Sequence, residues 1–444
     1  MLLANTWRTL RSSFDPLRQR NFRIYLGGQT VSLVGTWLQV TAQGWLVWTL
    51  TQSEAALSVV AMLNALPILL FGPWAGVIAE RLDRRQLLIG TQVASMLLAF
   101  SLAFLVQSNT VQIWHVYLLS FLLGTVNALD LPTQQTFLGD LSGMGEVRKA
   151  VNLNAMILQI SRMVGPALAG FVVVQLGVAP SFWLNGISFI AVIATLLAVR
   201  SNQVRGEAKE VKPMRDLWEA LRYLRTQPRM VDLFIISILV VFLALSIVFS
   251  QLPAVAATLL GGDAGTLGIL QAASGAGALI GVLIVIPILQ SLRRIGVALT
   301  ISLMWVGAWL LVFSTIHNLA LSAIALLMGS IGAPTVLATT LGLVQFMSPL
   351  EMRSRIMGLF TMIIFGLQTF AILIVGFIAN TFGVATATQI NSVLLIVGAA
   401  ALLTFRRELR TWEPNKSADT PVIEVVPAEA EVLEAVEGVP VVEG

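Results

Sequence analysis

The chain lacks cysteine altogether and has only two histidines, His115 and His317, far apart among its 444 residues. Without cysteine, disulfides, thiol catalysis and cysteine-bound metals are excluded. Two isolated histidines predict neither a metal site nor a haem. No Gly-x-x-x-x-Gly-Lys-Ser/Thr loop occurs, so the chain is not predicted to be an ATP-driven pump. We therefore expect no cofactor, no metal and no enzymatic activity.

Charged residues are also scarce. They make up 11% of the chain, whereas a soluble domain has about 25%. Hydrophobic residues make up 57%, and the mean hydropathy is +0.85. Several long stretches contain few or no charges, and a helix needs about 20 such residues to cross the hydrocarbon of a bilayer. Because lipid cannot satisfy backbone polar groups and no alternating strand pattern is visible, the sequence predicts helices embedded in a lipid bilayer.

The predicted fold is an all-α membrane protein with twelve transmembrane helices. The spans lie at residues 22–48, 55–79, 86–107, 112–138, 150–174, 180–199, 230–258, 265–290, 295–315, 319–346, 356–381 and 386–405. Of the 27 Lys and Arg residues, all but Arg162 fall in every other loop or in the termini, and the intervening loops carry only Glu54 and Asp263 as charges. The positive-inside rule then predicts that both termini are cytoplasmic. The basic loops also explain the high isoelectric point without a nucleic-acid partner.

An internal repeat relates the two parts of the chain at an offset of 206 residues. Gly170 recurs as Gly376, and Gly177 recurs as Gly383. Spans five and six therefore match spans eleven and twelve, which predicts two pseudo-symmetric six-helix halves with the substrate site between them. The predicted segments are a cytoplasmic N-terminal segment (1–21), an N-terminal half (22–199), a cytoplasmic linker (200–229), a C-terminal half (230–405) and a cytoplasmic, disordered acidic tail (406–444).

The loop between spans two and three reads Gly76-Val-Ile-Ala-Glu80-Arg81-Leu-Asp83-Arg84-Arg85. It resembles the signature loop of the major facilitator superfamily, Gly-x-x-x-Asp-Arg-x-Gly-Arg-Arg/Lys, with a Glu in the first Asp position and an Asp in place of the second Gly. The resemblance implies an inner gate that locks and releases through ion pairs. A plain positive-inside loop is the alternative. The gate prediction covers Gly76, Glu80, Arg81, Asp83, Arg84, Arg85, Glu351, Arg353 and Arg355.

The resemblance covers about residues 14–405 and is nearest to the bacterial branch that includes enterobactin exporters and macrolide efflux proteins. The residues that carry it are Pro16 to Arg23, Arg162-Met-Val-Gly165-Pro166 in span five, and Pro349 to Gly358. It implies a monomeric secondary transporter of the bacterial inner membrane that exports a small amphiphilic molecule, such as a drug, macrolide or siderophore-like compound, by alternating access and proton antiport. The pair Gly165-Pro166 resembles part of the antiporter motif of efflux members and is predicted to be a helix hinge.

Two charges lie inside predicted spans at similar depth, Asp130 in span four and Arg162 in span five. A charge at the centre of a bilayer is costly and needs a partner or water. We therefore predict that the two residues pair, and that protonation of Asp130 loosens the pair during transport. A static structural pair is the alternative.

Polar stripes mark the predicted walls of the substrate cavity. Their residues follow helical spacing in span one and recur in four other spans, and they are Gln29, Ser32, Thr36, Gln39, Gln43, Asn127, Gln159, Gln271 and Gln368. Hydrogen bonding between helices is the alternative role for each. Polar residues concentrate in the first half, so one polar wall and one apolar wall are expected, which suits an amphiphilic substrate.

Two rival functions remain open at the level of sequence. One is an importer or facilitator of a small metabolite in the same fold. The other is a non-transporting membrane scaffold that acts through its acidic tail.

Overall fold

The structure is a computed structural model that describes residues 15–142, 146–199, 213–292, 294–349 and 351–411. Within these ranges every regular element is a helix. Most of the predicted acidic tail and residues 200–212 of the predicted linker lie outside the described residues.

Twelve long helical segments correspond to the twelve predicted spans. In the first half they are α1 (Arg20–Thr51), α2 (Glu54–Arg81), α3 (Arg84–Gln107), α4 (Ile113–Ser142), α5 (Val147–Leu176) and α6 (Ala179–Ala198). An amphipathic helix, α7 (Pro213–Arg225), precedes the second half. There the spans are α8 (residues 228–259), α9 (residues 264–291), α10 (Ile295–Phe313), α11 (Leu319–Met347), α12 (Arg353–Phe382) and α13 (Val384–Phe405).

The predicted all-helical membrane fold is confirmed. Eleven helices of the described chain are long and apolar enough to cross a membrane, counted by length and composition. The exception among the twelve is α1, which has 32 residues but is less apolar because it carries the amides Gln29, Gln39 and Gln43. These amides are tolerated because α1 packs against α5 and α6 and turns polar positions towards other helices.

Three π-helical turns interrupt the second half, and none is described in the first. Two lie in α8, at Val240–Leu245 and Val255–Leu259, and one lies in α9, at Gly281–Val285. Such wide turns insert an extra residue into a helix and often occur at functional sites. They make the two halves differ locally although their overall arrangement repeats.

The internal repeat is visible in how the two halves meet. A Cβ on Gly170 of α5 would lie 3.1 Å from the carbonyl O of Ala264 in α9, and one on Gly376 of α12 would overlap Ser58 Oγ in α2. Gly376 follows Gly170 by 206 residues, and Ala264 follows Ser58 by the same 206 residues. The absence of a side chain at each glycine therefore allows two equivalent helix crossings, α5 with α9 and α12 with α2, between the halves.

Two further features repeat at or near this offset. Gly177 and Gly383 adopt φ angles of +86° and +85° in the turns that follow α5 and α12, a conformation that favours glycine. Helix pairings also recur, since α2 packs on α4 and α3 on α6 in the first half, as α9 packs on α11 and α10 on α13 in the second. The observed architecture is therefore a pair of pseudo-symmetric six-helix halves.

We call one end of the bundle the basic end, because it contains the α2–α3 loop, Lys149, Arg355 and Arg406. The far end of the bundle is called the opposite end. The Lys149 ammonium lies 3.0 Å from Asp15, and Arg355 pairs with Glu219 of α7. Each of these basic residues thus binds an acid that precedes the first span of its own half. Ion pairs described at the basic end therefore hold each half together and do not join the halves.

Contacts between the halves concentrate at the opposite end and the middle. Ser53 Oγ donates to Asn380 Oδ1 at 3.0 Å, and Gln251 Nε2 donates to Ser58 Oγ at 2.8 Å. Nearer the middle, Leu69 lies 3.3 Å from the Cβ position of Gly366. This distribution is that of a bundle closed at the opposite end.

Candidate functional site

Asp130 is the centre of a buried polar network in the first half, and only 7% of its surface is exposed. Its carboxylate accepts hydrogen bonds from Thr91 Oγ1 at 2.5 Å, Gln92 Nε2 at 3.0 Å and Gln134 Nε2 at 2.7 Å. Gln29 Nε2 donates in turn to Gln134 Oε1 at 3.3 Å, so the network joins α1, α3 and α4. All of these donors are neutral. The carboxylate is therefore held by dipoles, and the structure describes no cation beside it.

Thr91 gives this network a choice of proton arrangements. Its Oγ1 lies 2.5 Å from Asp130 Oδ1 and 2.9 Å from the carbonyl O of Leu88. A hydroxyl has one proton and can donate to only one of these acceptors at a time. When Asp130 is ionised, Thr91 donates to it. When Asp130 is protonated, it can donate to Thr91, which then donates to Leu88. Thr91 thus has a hydrogen-bond partner in both protonation states of Asp130.

A groove of about 410 Å³ leads from the basic end towards this network. It runs between α3 and α4 beside the α2–α3 loop, and Asp83, Gln86, Gly90 and Thr91 contribute to its lining. A Cβ built on Gly90 meets no atom within 4 Å, so the groove is open at that point. Thr91 therefore lines the groove and also contacts Asp130.

Arg162 lies near the middle of α5, and its guanidinium bridges the two halves. The guanidinium carbon is 5.0 Å from the ring centroid of Trp37 in α1 and 5.0 Å from that of Phe249 in α8. Glycines allow this approach: a Cβ on Gly165 would lie 2.6 Å from Trp37 Cβ, and one on Gly275 would lie 2.8 Å from the Arg162 backbone. Arg162 is therefore set between α1, α8 and α9 by close packing on two sides.

The charge of Arg162 is contacted by two ring faces and by no acid among the described residues. A guanidinium stays protonated in proteins, and placing one at the centre of a span costs about 2.5–3.5 kcal/mol on insertion scales. A ring face within about 6 Å returns roughly 0.5–2 kcal/mol. No carboxylate within the described ranges makes an ion pair with Arg162. A net positive potential therefore remains where α5 faces the second half.

The structure does not bring Asp130 and Arg162 together, contrary to the predicted pair. Their depths along the spans are similar, but the helices turn them to different sides. Asp130 faces α3 and α1 through Thr91, Gln92 and Gln134, whereas Arg162 faces the aromatic rings and the second half. The prediction used depth alone, and depth does not determine the direction in which a helix presents a side chain.

Three amides of the predicted cavity stripe in α1 bind within the first half. Gln29 is part of the Asp130 network. Gln39 Oε1 accepts from Asn185 Nδ2 at 2.7 Å, and Gln43 Nε2 donates to Ser120 Oγ at 2.7 Å. In this conformation these side chains connect α1 to α4 and α6, which is the alternative role that the sequence left open.

The other predicted cavity residues differ in their surroundings. Gln271 Oε1 accepts a hydrogen bond of 2.5 Å from Thr41 Oγ1, which joins α9 to α1 across the halves. Gln159 Oε1 is buried and has no hydrogen-bond partner among the described atoms. Their assignment to a substrate cavity stays a prediction, as it does for the remaining four, which are wholly or partly buried and for which no side-chain hydrogen bond is described: Ser32, Thr36, Asn127 and Gln368.

The predicted gate loop ties three helices of the first half together. Asp83 caps α3 by accepting from the backbone N–H of Gln86 at 2.9 Å. Arg84 Nη1 binds both carboxylate oxygens of Asp140 at the end of α4, at 2.7 and 2.8 Å. Arg85 donates to carbonyl oxygens in the last turn of α6, which have no partner within that helix. The loop therefore clamps the basic ends of α3, α4 and α6.

The other predicted gate residues have different surroundings. Gly76 and Glu80 fall on the last turns of α2, and the surroundings of both residues lie outside what the structure describes. Arg81 and Glu351 are exposed, and Arg353 Nε is buried without a described partner. The role of these residues in an inner gate thus stays a prediction.

The predicted hinge residues are packing positions in this conformation. Pro166 lies inside α5, which runs without a break from Val147 to Leu176. Gly165 packs on α1, and the carbonyl O of Pro166 lies 2.6 Å from the Cβ position of Gly268 in α9. A hinge role for the pair stays a prediction.

Several residues of the site escaped the sequence patterns. Thr91 and Gln92 are adjacent polar residues in a mostly apolar span, and this signal could have identified them. Trp37 and Phe249 gave no signal, because an aromatic residue in a span is usual. Their proximity to Arg162 depends on helix rotation and on the crossing of the two halves.

Two pseudo-symmetric six-helix halves with buried polar groups at and near their interface define a transporter of the major facilitator superfamily. The fold is similar to a bacterial homologue of the human lysosomal transporter Spinster, in an inward-facing and unoccupied conformation, with a TM-score of 0.70, 13% identity and coverage of 89% of this chain and 100% of that chain. It is also similar to the nucleoside transporter NupG, with a TM-score of 0.64, 14% identity and coverage of 87% and 99%. At these identities the likeness concerns the fold alone.

Within the superfamily, the chain belongs to the family described as transmembrane secretion effector, whose pattern matches residues 11–441. It is 24% identical over 393 residues to the staphyloferrin A transporter of Staphylococcus aureus, covering 87% of this chain and 97% of the relative. It is 24% identical over 294 residues to macrolide efflux protein A of Streptococcus pyogenes, covering 62% and 71%. A match of 25% identity over 267 residues to an uncharacterised MFS-type transporter of Bacillus subtilis covers 59% of this chain and 63% of that relative. The protein is therefore a multi-pass membrane transporter and not an enzyme.

Proposed function

We propose that the protein exports a small amphiphilic molecule in exchange for protons, and that its two halves alternate between an inward-open and an outward-open arrangement. Family membership supports transport. The relative named for macrolide efflux supports export, and it and the relative named for siderophore transport support a substrate of drug or siderophore type. The observation that carries proton exchange is the buried carboxylate of Asp130, whose hydrogen-bond donors among the described residues are all neutral.

The reasoning for Asp130 follows from its partners. A buried carboxylate paired with a fixed cation would stay ionised, whereas one held by neutral dipoles can gain a proton without leaving a cation alone. Thr91 offers a hydrogen-bonding arrangement for each protonation state. The groove beside Thr91 gives the network a route to the basic end. Protonation would weaken the hydrogen bond that Gln92 of α3 donates to Asp130 and so loosen α4 from α3.

The positive-inside rule places the basic end in the cytoplasm of a bacterial cell. Because the halves touch at the opposite end, the conformation described here would then face inwards and accept substrate from the cytoplasm. The ion pairs that stay within each half at the basic end leave the gate free to close when the halves tilt.

Direction and substrate class are tested by accumulation in cells. The measurement compares cells that lack the protein with cells that overexpress it, using a panel of macrolides, siderophores and fluorescent amphiphilic dyes. Deletion should raise the internal level of at least one amphiphile, and overexpression should lower it. The opposite signs would identify an importer. Preferential transport of hydrophilic compounds would contradict the amphiphile proposal.

A further inference from the structure

Arg162 is a charged hydrogen-bond donor that has neither an acceptor nor an acid as a partner among the described residues. Its neighbours on both sides are ring faces, those of Trp37 from the first half and Phe249 from the second. Asp130 is the acid at a similar depth in the spans, and it already accepts hydrogen bonds from three side chains of its own half. Among the described residues, the hydrogen bonds and ion pairs of the protein do not include the Arg162 guanidinium. Its five N–H donors therefore face no anion within the part of the chain that the structure describes.

Arg162 lines a narrow cavity of about 20 Å³, which has room for about one water molecule. The cavity extends into the second half, where α8, α9, α10 and α11 supply mostly apolar side chains. Its other polar groups are the hydroxyls of Ser274 and Ser330, which bond to each other at 2.9 Å. One hydroxyl donates in that bond and the other keeps its proton, so one O–H is left for a further acceptor.

These groups form a donor-rich, cationic spot within an apolar and aromatic wall. An incoming ammonium would be repelled by Arg162, and a neutral group would leave its charge unmatched. A carboxylate matches these donors chemically, because a guanidinium can offer it two parallel N–H bonds and the spare serine hydroxyl of the same cavity is a further donor. The rings of Trp37 and Phe249 would then contact the apolar body attached to that carboxylate.

We propose that Arg162 is the binding site for a carboxylate group of the transported molecule, so that the substrate is an amphiphilic acid. This inference rests on the proposed function, since it names the chemical class that the transport site selects. The position of Arg162 between the two halves links binding at this site to the change between the inward-open and outward-open conformations. Its ring partners belong to opposite halves, so a tilt of the halves parts the rings and widens the narrow cavity for the body of the substrate.

The test is a charge series of probes on the purified protein in phosphatidylcholine nanodiscs. The probes are 2-naphthoate, 2-naphthamide and 2-naphthylmethylamine, which share a ring system and differ in charge. Binding is followed by quenching of tryptophan fluorescence and by thermal stabilisation. We expect 2-naphthoate to bind about tenfold or more tightly than the amide, with the amine weakest; tenfold corresponds to about 1.4 kcal/mol. Equal affinity for all three would overturn the proposal.

Two variants attribute the preference to Arg162. Arg162→Gln should bind the amide as the wild type does and lose the preference for 2-naphthoate, while Arg162→Lys should keep part of it because the charge remains but the two parallel bonds are lost. Arg229→Gln, at an exposed position, is the matched control and should keep the full preference. If Arg162→Gln still prefers 2-naphthoate, the site lies elsewhere. Binding of the amide is measured for both Arg162 variants, and a variant that fails to fold will not bind it. If Arg162→Gln fails in this way, the relative affinities of Arg162→Lys for 2-naphthoate and the amide test the proposal.

Two further measurements distinguish a substrate carboxylate from other anions that Arg162 could bind. Titration with chloride alone, or exchange of phosphatidylcholine for phosphatidylglycerol, should not displace 2-naphthoate. Displacement by either at low concentration would mean that Arg162 binds a simple ion or a lipid headgroup, which overturns the proposal. The accumulation assay in cells is independent of these measurements. Export without a carboxylate preference removes only this inference, and a carboxylate preference without export removes only the proposed function.

Discussion

Replacing Gly275 with alanine should weaken the contact between the two halves. Gly275 lies in α9 at the point where that helix crosses α5. A Cβ built there would be 2.8 Å from Arg162 C, Arg162 O and Met163 N, all three of them backbone atoms. No flexible side chain can move aside, so α5 and α9 must separate.

The size of the effect follows from two opposing terms. Overpacking of this kind costs about 1–3 kcal/mol, whereas alanine in place of glycine inside a helix gains up to about 1 kcal/mol. We expect a net loss of about 1–2 kcal/mol. For one half of the bundle this corresponds to a melting temperature lower by roughly 2–8 °C, from the scaling for domains of similar length.

The assay is thermal unfolding of the purified protein in detergent, with Gly358→Ala as the matched control. A Cβ on Gly358 in α12 meets no atom within 4 Å, so this variant should melt at or slightly above the wild-type temperature. The two glycine-to-alanine changes are thus predicted to have opposite signs. A Gly275→Ala protein that melts at or above the wild-type temperature would refute the close crossing of α5 and α9.

Three further outcomes are expected. The hydrogen bond from Lys149 holds the pKa of Asp15 below its ordinary value of 3.8, so the stabilisation lost in Lys149→Met should be fully present at neutral pH and should disappear as the pH falls through this lowered pKa; a pH-independent difference in melting temperature would contradict this. A double-mutant cycle of Arg84→Gln and Asp140→Asn should give a coupling energy of about 0.5–3 kcal/mol in unfolding experiments, whereas additive effects would show that the bidentate pair is not a clamp. Gly90→Leu projects into the open groove and should slow proton-coupled export without lowering the melting temperature; unchanged export at all pH values would remove the groove as a proton route.

Much of the architecture could be predicted because bilayer physics constrains sequence strongly. Apolar length and the alternation of basic loops indicate the spans, and the 206-residue repeat indicates two halves. The same repeat reappears in the structure as the crossings at Gly170 and Gly376 and as the positive φ angles at Gly177 and Gly383. The π-helical turns of α8 and α9 could not be predicted, because an extra residue in a helical turn leaves no mark in composition.

The site was predicted less completely. Asp130 and Arg162 were singled out as charges within the spans, and both lie inside long helices, yet their partners depend on helix rotation and on contacts between elements far apart in the chain. Gln39 and Gln43 illustrate the same limit, since a polar stripe indicates a non-lipid face and does not distinguish a cavity from a neighbouring helix. Trp37 became identifiable as a partner of Arg162 only in three dimensions.

The central claim is tested most directly by proton-driven transport in proteoliposomes, using a substrate identified by the accumulation assay and an imposed pH gradient. We predict that the wild-type protein moves substrate against its gradient at a rate that depends on pH, and that Asp130→Asn abolishes this dependence while retaining downhill exchange. Asp263→Asn, which keeps its role as a helix cap, should behave as the wild type. Uphill transport by Asp130→Asn with an unchanged pH profile would contradict the account.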